Sequence, residues 1–206
     1  MSVDFKDSVT RENLMRAFAG ESQARNRYTI AANQAEKQDL HVIYAVFDFT
    51  AEEERKHAEV FYNHLSELGG TSIRIDGSYP VDISQDVAKL LRFAQHNEYE
   101  EHDDVYLHFA EKAKEEGFLK VAASFQMIAQ IEKTHGDRFG MFAELLEQGK
   151  LFVSDVEAAW MCLECGHIYR GREVPDECPV CHSNRGYFVR LELAPYTGTL
   201  SGAAGL

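Results

Sequence analysis

The chain has 206 residues, 45% of them hydrophobic, which suits one packed domain of ordinary size with a small appendage and argues against wholesale disorder. Its 21 Lys and Arg against 34 Asp and Glu leave a net charge of −13, the wrong sign for a protein that grips nucleic-acid phosphates. The N-terminal MSVDFKDSVTRENLM lacks the basic start and apolar run of a signal peptide, and no apolar stretch is long enough to span a bilayer, so a soluble cytoplasmic protein with neither a nucleic-acid nor a membrane partner is expected.

From Thr10 to about Gln38 the apolar residues Leu14, Phe18, Tyr28, Ala32 and Ala35 recur at helical spacing. Asp39 is placed to cap a second helix that reaches Leu68, where Gly69 and Gly70 stop it. So short a turn makes the two antiparallel. A connection rich in turn formers follows, from Thr71 to Ser84. A third helix then runs to about Glu116, Gly117 breaks it, and a fourth continues to about Glu147. Two hairpins joined by one long crossover is the arrangement of a ferritin-like four-helix bundle, although an up-and-down bundle with a long middle loop has the same element order. Residues 1–149 are thus expected to form the bundle. Residues 150–159 read as a linker, and residues 160–193 as a small β and turn module built around four cysteines. Residues 194–206, rich in Gly, Ala, Ser and Thr, read as a flexible tail.

The two hairpins resemble each other. Glu54-x-x-His57 matches Glu132-x-x-His135 at an offset of 78 residues, and the turns match at the same offset. Glu21, however, pairs with Glu98 at an offset of 77, so the third helix carries one extra residue between its Glu and its turn. A single added residue inside a helix is what a π-bulge absorbs, and such bulges favour functional sites. One is expected between about Glu98 and Tyr106.

Certain acids fall where a core would carry Leu. The inward stripe of the fourth helix is Val121, Phe125, Ile128, Glu132, His135, Phe139, Phe142 and Leu146. That of the second is Ile43, Phe47, Thr50, Glu54, His57 or Ala58, Phe61, Leu65 and Leu68. Glu21 falls between Phe18 and Tyr28 in the first helix, and Glu98 and Glu101 continue the line of Val87, Leu91 and Ala94 in the third. An unpaired ionised carboxylate in a core costs many kcal/mol. Five together need compensating cations, and two ferrous ions bring the charge close to neutral. Glu-x-x-His on two helices facing one Glu from each of the others is the donor set of di-iron and di-manganese bundles. Mixed carboxylate and imidazole donors suit iron or manganese better than magnesium or calcium.

Cys162-x-x-Cys165 and Cys178-x-x-Cys181 are separated by twelve residues, the spacing of one tetrahedral four-sulfur metal site. Clustering in a reducing cytoplasm points to metal rather than disulfides, but spacing alone leaves zinc and iron both open.

The run Phe18-Ala-Gly-Glu-Ser-Gln-Ala-Arg-Asn-Arg-Tyr28 resembles the first-helix signature of rubrerythrins. Glu54-Arg-Lys-His57, Glu98-x-x-Glu101 followed by Val105-Tyr106, and Glu132-x-x-His135 are similar to the remaining family motifs, in order. Gln95-x-x-Glu98 offers a competing alignment that needs a gap and displaces Tyr106 from its match. Cys-Pro-Val-Cys, Cys-x-x-Cys-Gly and Tyr169 resemble rubredoxin. The resemblance covers about Val9 to Val189. It implies that Glu21, Glu54, His57, Glu98, Glu101, Glu132 and His135 hold two irons, with Glu54 and Glu132 bridging and Glu101 exchanging with His57 as the redox state changes. It implies that Tyr28 and Tyr106 hydrogen-bond to iron ligands or bound peroxide. One iron would occupy the Cys162, Cys165, Cys178 and Cys181 site, with zinc or manganese as conceivable substitutes in the metal sites.

The activity so implied is reduction of hydrogen peroxide to water. Electrons would come from NAD(P)H through an external rubredoxin-type reductase and enter at the four-cysteine iron. A homodimer is implied, because the family pairs the rubredoxin-like domain of one subunit with the bundle of another. The rival readings are a ferritin-like ferroxidase or iron-storage protein, a zinc-ribbon redox sensor and a di-iron oxygenase. His41, His64, His96, His102 and His108 lack ligand spacing and are expected at the surface, and His167 and His182 adjoin the cysteines as exposed bystanders.

Overall fold

Ser8 opens the bundle: its hydroxyl accepts from the Arg11 amide at 3.1 Å, which starts α1 (Val9–Glu36). A computed structural model describes residues 3–197, and there α1 is followed by α2 (His41–His64), α3 (Val87–Glu100), α4 (Tyr106–Glu116) and α5 (Leu119–Glu147). Helix α2 stops at His64, short of Leu68, and a 3₁₀ turn over Ser66–Leu68 takes its place. A π turn over Glu101–Val105 joins α3 to α4, so the two act as one continuous helix with the extra residue where the offset between hairpins puts it. The result is a ferritin-like four-helix bundle with a long crossover between its second and third helices. No helix among the described residues is long and apolar enough to cross a membrane.

Both hairpin turns close alike. Leu40 N–H donates to the Ala35 carbonyl at 3.0 Å, and Phe118 N–H to the Ala113 carbonyl at 2.8 Å. That closure needs a left-handed residue just before, and Gly117 (φ 94°) supplies it in the second turn. Asp39 (φ 55°) supplies it in the first. Asp39 therefore does not cap α2 as the sequence suggested. Leu40 occupies that place without a side-chain bond.

The buried side chains form two apolar clusters along the bundle. One gathers around Tyr28, Ile43, Phe47, Leu91 and Phe139, the other around Leu14, Phe61, Tyr106 and Phe125. Between them lies a polar layer of Glu21, Glu54, His57, Glu98, Glu132 and His135, each at most 6% exposed. Helix α5 comes so close to α3 that a Cβ on Gly140 would sit 2.1 Å from the Gln95 amide.

One tie between the hairpins is polar. The Glu116 carboxylate accepts from the Val9 and Thr10 amides at 3.0 and 2.8 Å and from the Thr10 hydroxyl at 2.6 Å. It thereby satisfies two amides at the start of α1 that have no partner within the helix. Burial opposes its ionisation, but these bonds outweigh burial and hold the carboxyl below its usual range. Such a group stabilises the fold above the unfolded-state pKa, and the contribution fades as pH falls through the folded-state value. Glu116→Gln is expected to cost roughly 1.5–3 kcal/mol at neutral pH. The gap to the parent protein should close below about pH 4. Denaturant unfolding of both proteins at the two pH values checks this, and a gap independent of pH would refute it.

The C-terminal module is a three-stranded antiparallel sheet, β1 (Val153–Cys162), β2 (Ile168–Glu173) and β3 (Phe188–Arg190), in the order β2-β1-β3. Strand β1 thus begins inside the stretch expected to be a linker. Its early residues, Ser, Asp, Val and Glu, carry no alternating pattern, and an irregularity between Val153 and Ala158 interrupts the register. The described part of the expected tail is also tied down: the Thr197 hydroxyl donates to the Leu191 and Ala194 carbonyls at 2.8 and 3.0 Å. Residues 198–206 lie outside the described residues.

The module docks on the first hairpin turn. Asn184 Nδ2 donates to the Asp39 carboxylate at 3.1 Å, and His41 stacks on Tyr187 with ring centres 3.9 Å apart. His41 is therefore an interface residue rather than the surface residue expected. Gly186 lies so close that a Cβ there would fall 1.7 Å from the Asp39 carbonyl oxygen, so only glycine allows this approach.

Candidate metal centre

Each of the four bundle helices, α3 and α4 counting as one, sends at least one acid into the polar layer. Glu21 comes from α1, Glu54 and His57 from α2, Glu98 from α3, and Glu132 and His135 from α5. On α2 and α5 the Glu and His are three residues apart, so both point the same way. Two groups of four donors result, Glu21–Glu54–His57–Glu132 and Glu54–Glu98–Glu132–His135, with the donor atoms of each within 4.8 Å of one another. Glu54 and Glu132 belong to both. His57 Nδ1 lies 2.9 Å from Glu132 and 3.2 Å from Glu54, and His135 Nδ1 lies 2.9 Å from each.

The electrostatics are those of a cation site. Burial, then the charges of Glu132 and Glu54, push the Glu21 carboxyl well above its usual range. Burial and the Glu54 charge do the same to Glu98. Burial would raise Glu54 as well, but the His135 and His57 imidazoles hold it low. Although burial disfavours its charge, His57 is pushed up to about 10 by Glu132 and Glu54. Cations binding among these carboxylates and imidazoles would displace their protons. Close as they lie, Oε2 of Glu21, Oε1 of Glu54, Oε2 of Glu98, both oxygens of Glu132 and both ring nitrogens of His135 are buried without a well-angled hydrogen bond. Buried donors and acceptors are almost always satisfied, and here every one of these atoms except His135 Nε2, which faces Glu53, lies on a residue of the two donor groups on the side a metal would take. Five oxygens and an imidazole nitrogen suit two divalent iron or manganese ions.

Two tyrosines cross between the hairpins. The Tyr106 hydroxyl of the second donates to Glu21 of the first at 2.5 Å, and the Tyr28 hydroxyl of the first donates to Glu98 of the second. Both rings are at most 2% exposed. Burial and the nearby carboxylates raise both phenols well above their usual range, so they act as proton-bearing donors.

Glu101, the first residue of the π turn, belongs to neither four-donor group and is half-buried. It lines a cavity beside Tyr106. Burial and the charge of Glu98 raise its carboxyl well above the usual range. His102 and His64 are half-buried too, the latter 2.9 Å from the Ser124 hydroxyl, while His96 and His108 are exposed.

Sequence reasoning missed a support behind His135. Its Nε2 lies 3.2 Å from Glu53 Oε2, and Arg138 Nη1 donates to that same oxygen at 2.6 Å and to the Thr50 hydroxyl at 2.7 Å. Burial notwithstanding, His135 and Arg138 hold the Glu53 carboxyl low, so it carries charge toward the imidazole. A carboxylate behind a ligating imidazole fixes its orientation and raises its basicity. Glu53→Ala is therefore expected to weaken metal binding about 10- to 100-fold. Competition with a coloured chelator measures it, and unchanged affinity would show that Glu53 does not position His135. Glu53 has no motif of its own, and only the proximity of α2 to α5 reveals it.

In the module, the two Cys-x-x-Cys turns face each other. The Cys162 and Cys181 sulfurs are 3.8 Å apart and those of Cys165 and Cys178 3.7 Å. Four sulfurs at about 2.3 Å from a central metal would be separated by about 3.8 Å in a tetrahedron, so the site fits one metal ion. Each turn needs a left-handed residue after its second cysteine, Gly166 (φ 77°) in one and His182 (φ 64°) in the other. Burial pushes the Cys162 thiol up to about 12, while the Ser183 hydroxyl and amide bring Cys181 down to about 6.

Comparison with known proteins gives two family matches, to the model described as rubrerythrin over residues 12–143 and to that described as the rubrerythrin rubredoxin-like domain over residues 160–189. The rubrerythrin of Clostridium perfringens is 43% identical over 184 residues, which cover 89% of this chain and 94% of that one. The rubrerythrin of Porphyromonas gingivalis is 40% identical over 188 residues, 91% of this chain and 92% of that one. Among solved structures, nigerythrin in its mixed-valence state matches with a TM-score of 0.60 at 28% identity, covering 92% of this chain and 91% of that one.

Proposed function

The chain belongs to the rubrerythrin family, with that family's di-iron site in the bundle and Fe(Cys)4 site in the module, and from that premise we propose that it is a cytoplasmic peroxide reductase. The reaction is H2O2 + 2 H⁺ + 2 e⁻ → 2 H2O. The observation that carries the reading is that Glu54 and Glu132 belong to two donor groups at once, as the shared ligands of a metal pair must.

In this reading Glu21, Glu54, His57, Glu98, Glu132 and His135 hold the two bundle irons, and Glu101 is the extra carboxylate that exchanges with His57. When bound, the ferrous pair supplies two electrons and a Lewis-acidic face for the peroxide oxygens. Tyr28 and Tyr106 hold Glu98 and Glu21 in place and keep protons near the reacting oxygens. The two apolar clusters on either side of the layer exclude bulk water.

Cys162, Cys165, Cys178 and Cys181 hold the iron through which electrons enter, and NAD(P)H is the source through a separate rubredoxin-type reductase. The module docks at His41, thirteen residues before Glu54 on α2. That is about 20 Å along the helix at 1.5 Å per residue. So long a gap disfavours direct transfer within one chain and supports a homodimer in which the module of one subunit serves the bundle of the other. Iron storage needs no such electron inlet, so the module speaks against that rival.

The test is peroxide-dependent NADH oxidation by the iron-loaded protein with added reductase. Steady turnover is expected. Accumulation of an iron core without such turnover, or zinc in place of iron in the four-cysteine site, would overturn the reading.

A further inference from the structure

Two arginines of α1 hold down the crossover. Arg16 Nη2 lies 2.7 Å from Asp76, and Arg27 Nη1 lies 2.6 Å from Asp82. The arginines are eleven residues apart, about three helical turns, so segment 76–82 runs along α1 as a strap. The outer pin is a surface pair, with Asp76 91% exposed, and contributes little. The inner pin is different: Arg27 and Asp82 are each 15% exposed, and Asn97 Nδ2 also donates to Asp82 at 2.7 Å. That bond fastens the strap to α3 one residue before Glu98.

Between the pins, Tyr79 lies across Gly20, and its hydroxyl donates to the Arg16 carbonyl at 3.3 Å. A Cβ on Gly20 would meet the Tyr79 ring only at 3.9 Å, an ordinary contact, so sterics alone do not demand glycine there. Glycine inside a helix costs about 1 kcal/mol relative to alanine. What it leaves is space. Beneath the strap is a cavity of about 220 Å³, whose walls include Tyr79, Gly20 and Gln23 together with Glu101, Val105 and Tyr106. Pockets that take drug-sized ligands begin at about 300 Å³. This one fits only something small.

We propose that this cavity is the route by which substrate reaches the metal layer, that the strap is its roof, and that Tyr79 sets the size of hydroperoxide admitted. Hydrogen peroxide and small alkyl hydroperoxides pass, and bulky aryl hydroperoxides are held out. The assignment of substrate rests on the peroxide-reductase reading, whereas the route itself does not.

The experiment uses the iron-loaded, full-length protein with Tyr79→Ala, Tyr79→Leu and Tyr79→Phe, iron content being checked for each. One readout is the ratio of kcat/KM for cumene hydroperoxide to that for hydrogen peroxide. The other is the association rate of azide with the oxidised bundle site, followed by its absorption without turnover. Tyr79→Ala is expected to raise the ratio at least tenfold and the azide rate at least threefold, with Tyr79→Leu intermediate and Tyr79→Phe close to the parent. An azide rate equal in all four proteins overturns the route. A faster azide rate with an unchanged ratio overturns Tyr79 as the size filter. If the parent protein consumes no hydroperoxide at all, the functional reading fails while the azide arm still decides the route.

Discussion

Glu132→Ala is expected to strip both irons from the bundle at once while leaving the four-cysteine iron in place. Glu132 belongs to both four-donor groups, 2.9 Å from His57 on one side and 2.9 Å from His135 on the other. Glu21 and Glu98 each belong to one group, so their loss would weaken one metal more than the other. Losing a shared carboxylate removes a donor and a negative charge from both positions. Even partners behind the ligands are worth 10- to 100-fold in affinity, so the fall here should be at least about 100-fold for each iron. Helix α5 should persist, because Ile128 and Ala129 anchor it in one apolar cluster and Phe139 and Phe142 in the other. Ferrous iron at about 100 times its dissociation constant adds about 2.7 kcal/mol to a protein that binds it only when folded. The parent should therefore unfold at a higher temperature with iron than without, and the variant should lose that rise. Iron per chain and paired thermal scans measure both effects. Two bundle irons retained by the variant would show that Glu132 is not shared.

The polar layer was legible in sequence because each of its residues interrupts an apolar stripe of period 3.6. Glu132 stands between Ile128 and Phe139 on α5, and Glu54 between Thr50 and Phe61 on α2, and all are buried in the folded chain. The π turn was legible for a different reason. An insertion is visible only against a second copy, and the 77- and 78-residue offsets supplied that comparison.

Tertiary contacts hid the rest. Asp39 reads as a cap because Asp favours such places, but the Leu40-to-Ala35 bond forces it into the left-handed region. Strand β1 has little pattern of its own and is defined by its pairing to β2 and β3. His41 is drawn into an interface by Tyr187, which lies 146 positions away. The pairs Arg16–Asp76 and Arg27–Asp82 look in sequence like ordinary surface charges.

The near-symmetry of the hairpins also shows what is not symmetric. The tyrosine bonds cross, Tyr28 to Glu98 and Tyr106 to Glu21, so each half steadies a carboxylate of the other. At the 77-residue offset, the counterpart of Glu101 in α1 is residue 101 − 77 = 24, which is Ala24, 2% exposed and packed in the core. One half has an apolar residue there. The other has an acid on a π turn, facing a cavity.

Glu101→Ala is accordingly expected to cut peroxide turnover about 100-fold, the size of effect typical of a group that transfers protons in the reaction, while both bundle irons stay bound. The six donors of the two groups do not include Glu101, so removing it should spare metal content. Burial and the Glu98 charge favour the protonated carboxyl, which suits a group beside the proposed reaction, which consumes two protons. The π turn places Glu101 on the cavity wall that Tyr106 shares, close enough to the metal layer to feel the charges of Glu98 and Glu132. A carboxylate there is able both to approach a metal and to hand over a proton, and alanine does neither. Glu101→Gln keeps the size of the side chain but not its acidity, so it should be nearly as slow as alanine if the proton matters. The measurements are kcat/KM for hydrogen peroxide, iron per chain, and the visible spectrum of the four-cysteine centre as a control on electron entry. Full turnover in the alanine variant would refute the exchange with His57, and loss of one iron would instead make Glu101 a permanent ligand.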